Sequence, residues 1–332
     1  MKHSMGRLPS EVKRKLVTKR KASTDPDFGK RPEERSPEEH IKYGVINLDK
    51  PAGPTSHEVV SWVKRMLGLK KAGQGGTLDP KVTGVLPITL EESTKIARTF
   101  LLAGKEYLCV MRLHDDMKRG RIERVLKELT CEIYQRPPVK SAVKRQLRTR
   151  TIYYMDLMEM DGRDVLFKVG CEAGTYIRKL CYDVGEILGC GAHMLELRRT
   201  KSGPFTGETT VTLHDVIDAY AFYKEDGTDK YLKEAILPVE RAVEFLPEVI
   251  LRDSAVDSLC HGADLAVPGI SKLDTDINIG NLAALFTLKG ELVGIGKAVM
   301  DTKTVLIEDS GIALNTKRII MKPGTYPKMW KL

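Results

Sequence analysis

The sequence predicts an α+β protein of two domains, a larger unit on a mixed, mainly antiparallel sheet and a small C-terminal β-barrel. Three observations carry that prediction. The chain has 332 residues, and a single hydrophobic core rarely grows past about 250. Up to residue 247, short alternating strands are interleaved with amphipathic helices. From Val249 on, closely spaced strands are punctuated by glycine, as a small, strongly curved barrel requires. The expected divisions are a basic N-terminal extension (1–40), the larger domain (41–247), the barrel (248–324) and a C-terminal tail (325–332).

Composition narrows the function classes. A chain with 42% hydrophobic and 30% charged residues is that of a soluble globular protein. Lysine and arginine outnumber acids 54 to 45, a formal +9, which favours a polyanionic partner, RNA or DNA ahead of acidic membrane. No stretch approaches 18 uninterrupted apolar residues, which excludes a membrane-spanning helix. No signal-like apolar segment opens the sequence, so a cytoplasmic protein is expected. The six cysteines include no Cys-x-x-Cys pair, and the seven histidines show no matching zinc spacing. Reduced thiols and no metal are expected.

Residues 1–40 carry Lys13-Arg14-Lys15 and Lys19-Arg20-Lys21, then Pro26, Pro32 and Pro37. That is the composition of a flexible arm, either lying on phosphate or simply solvated. Val45–Leu48 reads as a strand entering the turn-rich Asp49-Lys50-Pro51-Ala52-Gly53-Pro54. Thr55 and Glu58 have capping-box spacing, and the helix they open ends at Gly68. A second helix is expected over 91–101, with Ile96 and Phe100 inward. Tyr107, Cys109, Met111 and Leu113 share one face of a strand.

Ile122, Val125, Leu126 and Leu129 mark a helix, and strands at 152–159 and 165–171 join through Asp161-Gly162-Arg163. Ile177, Leu180, Cys181, Val184 and Leu188 form the apolar face of a helix stopped by Gly189. Met194–Thr200 is a strand with a basic end, and helices follow at 213–223 and 231–236. Glu244–Pro247 reads as the domain boundary. A helix over 253–260 precedes the barrel strands, and His261 reads as a structural residue at its end.

The chemistry centres on residues 73–86, Gly-Gln-Gly-Gly-Thr-Leu-Asp-Pro-Lys-Val-Thr-Gly-Val-Leu. Glycine lets the backbone take positive φ and approach a ligand closely. Pro80 biases Asp79 toward an extended or turn conformation. The result is one carboxylate on a rigid loop between apolar Leu78 and Val82. Arg178 falls in the first turn of its helix, where the dipole disfavours a cation, and a carboxylate is its natural partner. A carboxylate held ionised by arginine, beside an aromatic platform and basic surroundings, suits nucleophilic or base catalysis on a flipped nucleobase. Several RNA-modifying reactions fit those ingredients.

GGTLDP with the following glycine and apolar run resembles the catalytic loop of the TruB-type pseudouridine synthases. LDKPxGxTS at Leu48–Ser56, QRPPxxSAVK at Gln135–Lys144, GTYIR at Gly174–Arg178 and LxRxxxGPF at Leu197–Phe205 are similar to the family's other motifs, in the family's order. HGADLxxPGI at His261–Ile270 and the GIGKA strand resemble a PUA domain, an RNA-binding module. The resemblance spans about Ile41 to Tyr326.

It implies isomerisation of uridine to pseudouridine. Asp79 then acts in breaking the N-glycosidic bond, by addition to the base, addition to the sugar or removal of a sugar proton. Tyr107, in a GKxY element, is implied to stack on the target uracil, and Arg178 to pair with Asp79. The positions implied at the substrate side are Lys50, which with Pro51 supports the loop, Gln74, Leu197 against the pocket, and Lys144 on an RNA-facing loop. No cofactor is implied, because nothing is oxidised and no group is imported.

The basic arm with a C-terminal PUA domain is similar to the archaeal, dyskerin-like H/ACA members of the family. Two uses follow from that likeness: uridine 55 of the tRNA T-loop, or ribosomal RNA under a guide RNA with small protein partners. The alternative reading is a non-catalytic RNA-binding scaffold. Many relatives carry histidine where this chain has Gln74; glutamine hydrogen-bonds but cannot become a cation, so only a positioning role is expected there.

Overall fold

The computed structural model describes residues 6–137 and 146–328; Lys144 lies outside them. After β1 (Leu16–Thr18) and α1 (Pro37–Lys42), one sheet takes in β2 (Gly44–Lys50), β3 (Ala72–Gln74), β4 (Thr83–Leu90), β5 (Lys105–Leu113) and β6 (Glu132–Gln135). It continues with β7 (Arg148–Asp161), β8 (Asp164–Cys171), β9 (Ala192–Ser202), β10 (Phe205–Thr206) and β11 (Leu237–Pro238). The spatial order is β11-β2-β4-β9-β5-β8-β7-β6, with β3 added to β4 and β10 to β9. β4 and β9 pair in parallel at Thr83–Arg198 and Gly84–Arg199, while their other partners run antiparallel. This is the mixed, mainly antiparallel sheet expected.

Helices α2 (Ser56–Met66), α3 (Arg119–Glu128), α4 (Ile177–Leu188), α5 (Leu213–Asp226) and α6 (Lys230–Ala235) accompany it. The capping box forms: Thr55 Oγ1 accepts from Glu58 N, and the Glu58 carboxylate accepts from Thr55 N at 2.7 Å. A cap of this kind contributes about 1 kcal/mol. Val59, Val63, Ile88, Cys109, Met111, Phe167 and Val184 meet in one fully buried core. The segment Glu91–Leu101 is a run of 3₁₀ turns rather than the helix expected. The Thr94 and Thr99 hydroxyls donate to the carbonyls of Glu91 and Ile96, a side-chain competition with the backbone that works against regular α-helix. Ile96 and Phe100 still point inward.

The C-terminal unit comprises β12 (Glu248–Leu251), α7 (Asp253–Cys260), β13 (Leu265–Ala266), β14 (Ile270–Asp274), β15 (Leu282–Phe286), β16 (Leu292–Ala298), α8 (Thr302–Ile307) and β17 (Ile312–Ile319). Its sheet runs β1-β14-β12-β15-β16-β17-β13. Gly294 lies so close to the Arg318 carbonyl that a Cβ would come within 2.3 Å, which is why glycine stands at this bend. His261 Nδ1 meets the Asp257 carbonyl at 2.8 Å, the helix-end role expected of it. Tyr326, assigned to the tail by sequence, is buried in this core and donates to the Glu291 carboxylate.

The first strand belongs to that second sheet, which corrects the expectation of a free arm. Leu16–Thr18 pairs antiparallel with Lys272–Asp274, Lys19 Nζ donates to the Leu306 and Glu308 carbonyls, and Leu8 is fully buried. An open strand edge offers unpaired backbone groups, and here a segment some 250 residues away in sequence takes them up.

The two units share a third core in which Phe100, Phe205, Val243 and Phe245 meet Phe286, Leu292 and Ile295. Phe245 and Leu246 are therefore packed inside, and the boundary stretch is no exposed linker. Arg35 makes a two-pronged pair with Glu240 at 2.9 and 2.7 Å, and the same carboxylate accepts from Leu292 N at 2.9 Å. One buried acid thus joins the N-terminal segment, the first unit and the second. Glu240→Ala leaves the Arg35 charge buried and unpaired, so urea denaturation should show a loss of about 3–5 kcal/mol; an unchanged midpoint would remove the clamp.

Candidate active site

Asp79 stands on the loop between β3 and β4, and hidden hydrogen bonds hold that loop from several sides. Fully buried Lys50, at the end of β2, donates its ammonium protons to the carbonyls of Pro51, Pro80 and Val82 at 2.8, 3.0 and 3.0 Å. The sequence implies Lys50 at the substrate side as a support of the loop, and its bonds reach the loop's backbone carbonyls. Ser56, at the start of α2, bonds Leu78 through both its carbonyl and its N–H. Gly75 N donates to the Pro87 carbonyl, and a Cβ there would strike the Phe100 ring at 2.9 Å, so the loop can lie this close only with glycine. Gln74 Nε2 donates to Thr77 Oγ1 at 3.1 Å, a buttress across the turn.

Arg199 ties the feet of the loop together. Its guanidinium, 1% exposed, donates from Nε to the Val85 carbonyl at 2.6 Å and from Nη2 to the Gly76 carbonyl at 3.1 Å. Gly84, at φ 100°, rests on the Arg199 backbone, where a side chain would collide. One residue of β9 therefore grips the loop before and after Asp79.

At the crown, Arg178 from the first turn of α4 pairs with the Asp79 carboxylate. Their side chains remain 52% and 56% exposed, so the pair faces outward and a substrate can reach it. Gln135 steadies the entry to α4, donating to the Tyr176 carbonyl at 3.2 Å and accepting from Tyr176 N at 2.9 Å. Tyr107, on β5, is buried beneath the loop and lies opposite Arg199 in the sheet register. Burial pushes the Tyr107 hydroxyl up, and contact with the Arg199 guanidinium opposes that. Leu197 sits half-buried on β9 opposite Cys109. The structure brings Asp79, Arg178, Tyr107, Lys50 and Gln74 to one locus, with Leu197 on the strand beside it.

Two buried cations here went unassigned from sequence, Arg199 and Lys105. Lys105 Nζ donates to Ser202 Oγ at 2.8 Å and to the Phe100 carbonyl at 3.2 Å. Both are enclosed; burial holds Lys105 well below its ordinary 10.5 and lowers Arg199 as well. The only signal was positional. Lys105 shares the inward phase of Tyr107 and Cys109 on β5, but a basic residue at a strand end reads as solvated.

The depressed Lys105 value has a defined sign. Between its folded value and 10.5 the unfolded chain holds more protons than the folded one, so stability rises with pH across that window. Lys105→Met should remove this slope in urea titrations carried up to about pH 10; an identical slope in the variant would assign it elsewhere.

Comparison with known proteins decides the family. Residues 64–177 match the TruB family pseudouridylate synthase N-terminal domain, 178–244 the tRNA pseudouridylate synthase B C-terminal domain, 7–60 the DKCLD (NUC011) domain and 247–320 the PUA domain. The chain is 59% identical over 326 residues to a probable tRNA pseudouridine synthase B of Methanopyrus kandleri, covering 98% of this chain and 96% of that one. The chain belongs to the TruB family. A Thermococcus kodakarensis protein of the same description is 57% identical, over 98% of this chain and 96% of its own length.

Among solved structures, a chain of a Cbf5–Nop10–Gar1 complex matches with a TM-score of 0.95 at 55% identity, over 98% of this TruB-family chain and 100% of that one. A chain of an H/ACA RNP bound to a substrate RNA containing 2′-deoxyuridine matches with a TM-score of 0.92 at 53% identity, over 97% and 99%. Among the described residues of this TruB-family member, no group of three or more His, Cys, Asp or Glu is placed to hold a metal ion, and no helix is long and apolar enough to cross a membrane.

Proposed function

We propose that this chain is an RNA pseudouridine synthase, converting uridine to pseudouridine at position 55 of the tRNA T-loop, in ribosomal RNA as the catalytic subunit of an H/ACA guide-RNA particle, or in both. The observation that carries the reading is the Asp79–Arg178 pair, outward-facing on a loop whose backbone is pinned by Lys50, Ser56 and Arg199. A preorganised carboxylate needs no reorganisation at the moment of reaction. A scaffold that only bound RNA would have no use for it.

The roles we assign are these. A uridine drawn out of its RNA loses its stacking, and the Tyr107 ring below the loop replaces part of it. Arg178 favours the anionic form of Asp79. With Asp79 acting, the N1–C1′ bond breaks, the uracil turns, and a C5–C1′ bond forms. C5 gives up its proton, N1 gains one, and no atom is imported. Leu197 presents an apolar wall, and the positive excess of the chain supports binding to the RNA backbone.

Similar chains are described in a Cbf5–Nop10–Gar1 complex and in an H/ACA RNP bound to a substrate RNA, which supports small H/ACA proteins and RNA as partners. The site of action is then the cytoplasm, where those RNAs are. The test is pseudouridine mapping by carbodiimide modification and primer extension. One reaction holds the purified chain with an unmodified tRNA transcript; the other adds guide RNA, partner proteins and ribosomal substrate. A stop at one uridine in either reaction supports the proposal, and none in both rejects it.

A further inference from the structure

A cavity of about 570 Å³ opens where the N-terminal segment, the larger unit and the barrel meet, away from the Asp79 loop. Its wall is mixed. Arg7, Arg14 and Lys297 contribute cations, Leu102 and Phe245 an apolar side, and Asp276 a single acid. The N-terminal strap, residues 7–14, forms one wall, and its Arg14 holds an enclosed polar atom without a hydrogen-bond partner, Nε. Buried polar groups are nearly always satisfied, and an orphaned one signals a missing water, ion or ligand. The protein groups that face Arg14 across the junction do not account for it. Glu248, half-buried, and Asp274, buried, feel its charge and are pushed up by burial, and neither bonds Nε.

The geometry points to this junction as a second nucleotide site, holding one nucleotide of the bound RNA. The phosphate meets Arg14 and Lys297, and the base lies against Leu102 and Phe245. Volume and chemistry agree. Sites of about 300–1,000 Å³ hold ligands of nucleotide size, and they are mainly apolar with a few placed polar groups. Among the lining residues cations outnumber acids, which favours an anion, and the apolar side selects a ligand with a flat, weakly polar face over free phosphate. Because Arg7 and Arg14 lie on the strap while Lys297 lies on the barrel, occupancy would also tie the strap to the barrel. The inference rests on RNA being the substrate; it does not depend on which uridine is modified or on Asp79.

The test uses the full chain with an unmodified tRNA transcript carrying 4-thiouridine. Photo-crosslinked peptides are identified by mass spectrometry, and affinity is measured between 50 and 300 mM salt (roughly a Debye length of 14 to 6 Å). Crosslinks are expected in residues 7–14, 245–247 or 276–282. Arg14→Gln with Lys297→Gln should weaken RNA binding about tenfold and reduce the salt slope by about 1 to 2. Val12→Trp, which fills the cavity and removes no charge, should weaken binding while leaving the thermal melt in place. Protection of the melt by free uridine monophosphate, lost in Arg14→Gln, would support the site and assign it to the free nucleotide. Wild-type affinity and slope in all variants, with no crosslink to these segments and no protection, would overturn the proposal even if the enzyme made pseudouridine normally.

Discussion

Asp79→Asn is expected to abolish pseudouridine formation, lowering the single-turnover rate by about 10⁴-fold or more, while RNA affinity should stay within about twofold of wild type. Asparagine keeps the size and one carbonyl oxygen of the side chain but can neither carry negative charge nor accept a proton at neutral pH. The substitution is confined to an exposed crown, since the carboxylate bonds Arg178 and lies over half exposed. The loop's supports reach its backbone and not this side chain. Folding is therefore unaffected, and a thermal melt matching wild type checks that. Arg178→Ala acts by a different route, leaving the carboxylate in place but unoriented. Its rate should fall less, by about 10²-fold, again with RNA affinity retained.

Lys50→Met is expected to cost both stability and turnover without weakening RNA binding. Methionine fills the same tunnel, but the carbonyls of Pro51, Pro80 and Val82 lose their donor. A buried acceptor left unsatisfied costs about 1–3 kcal/mol. Two of those carbonyls, of Pro80 and Val82, lie just after Asp79 in the loop, so relaxation moves the carboxylate. A misplacement of about 1 Å lowers a rate by about 10²-fold. Urea denaturation and single-turnover rates measured together separate the two effects. Full turnover in a well-folded Lys50→Met protein would show that the ammonium is not what positions the loop.

The helix opened by Thr55 was legible because capping is local: the box needs only residues 55 to 58, and both bonds form. Tyr107, Cys109 and Met111 were legible because one strand face was buried throughout. The Asp79–Arg178 pair could be expected from motif and from helix-dipole logic, although 99 positions separate the partners. What escaped depended on distant surroundings. Arg199 and Lys105 are basic, and charge at strand ends is ordinarily solvated; only the assembled sheet shows that the Arg199 fork serves the Gly76 and Val85 carbonyls and Lys105 Nζ the Phe100 carbonyl and the Ser202 hydroxyl. The fate of the N-terminal arm was hidden for the same reason, since its composition is that of a mobile tail while its partner strand lies at Ile270–Asp274. The Thr94 and Thr99 hydroxyl bonds that accompany 3₁₀ turns are local, and periodicity alone does not weigh them.

Tritium release from 5-tritiated uridine tests the central claim most directly, because C5 loses its hydrogen only if it becomes the point of attachment to the sugar. The substrate is an unmodified tRNA transcript, supplied first with the purified chain alone and then a guided ribosomal fragment with the particle proteins. The account predicts release by the wild-type chain, matched in amount by pseudouridine, and none by Asp79→Asn in the same reactions. Release by Asp79→Asn at the wild-type rate would contradict it, because the chemistry would then belong to another group.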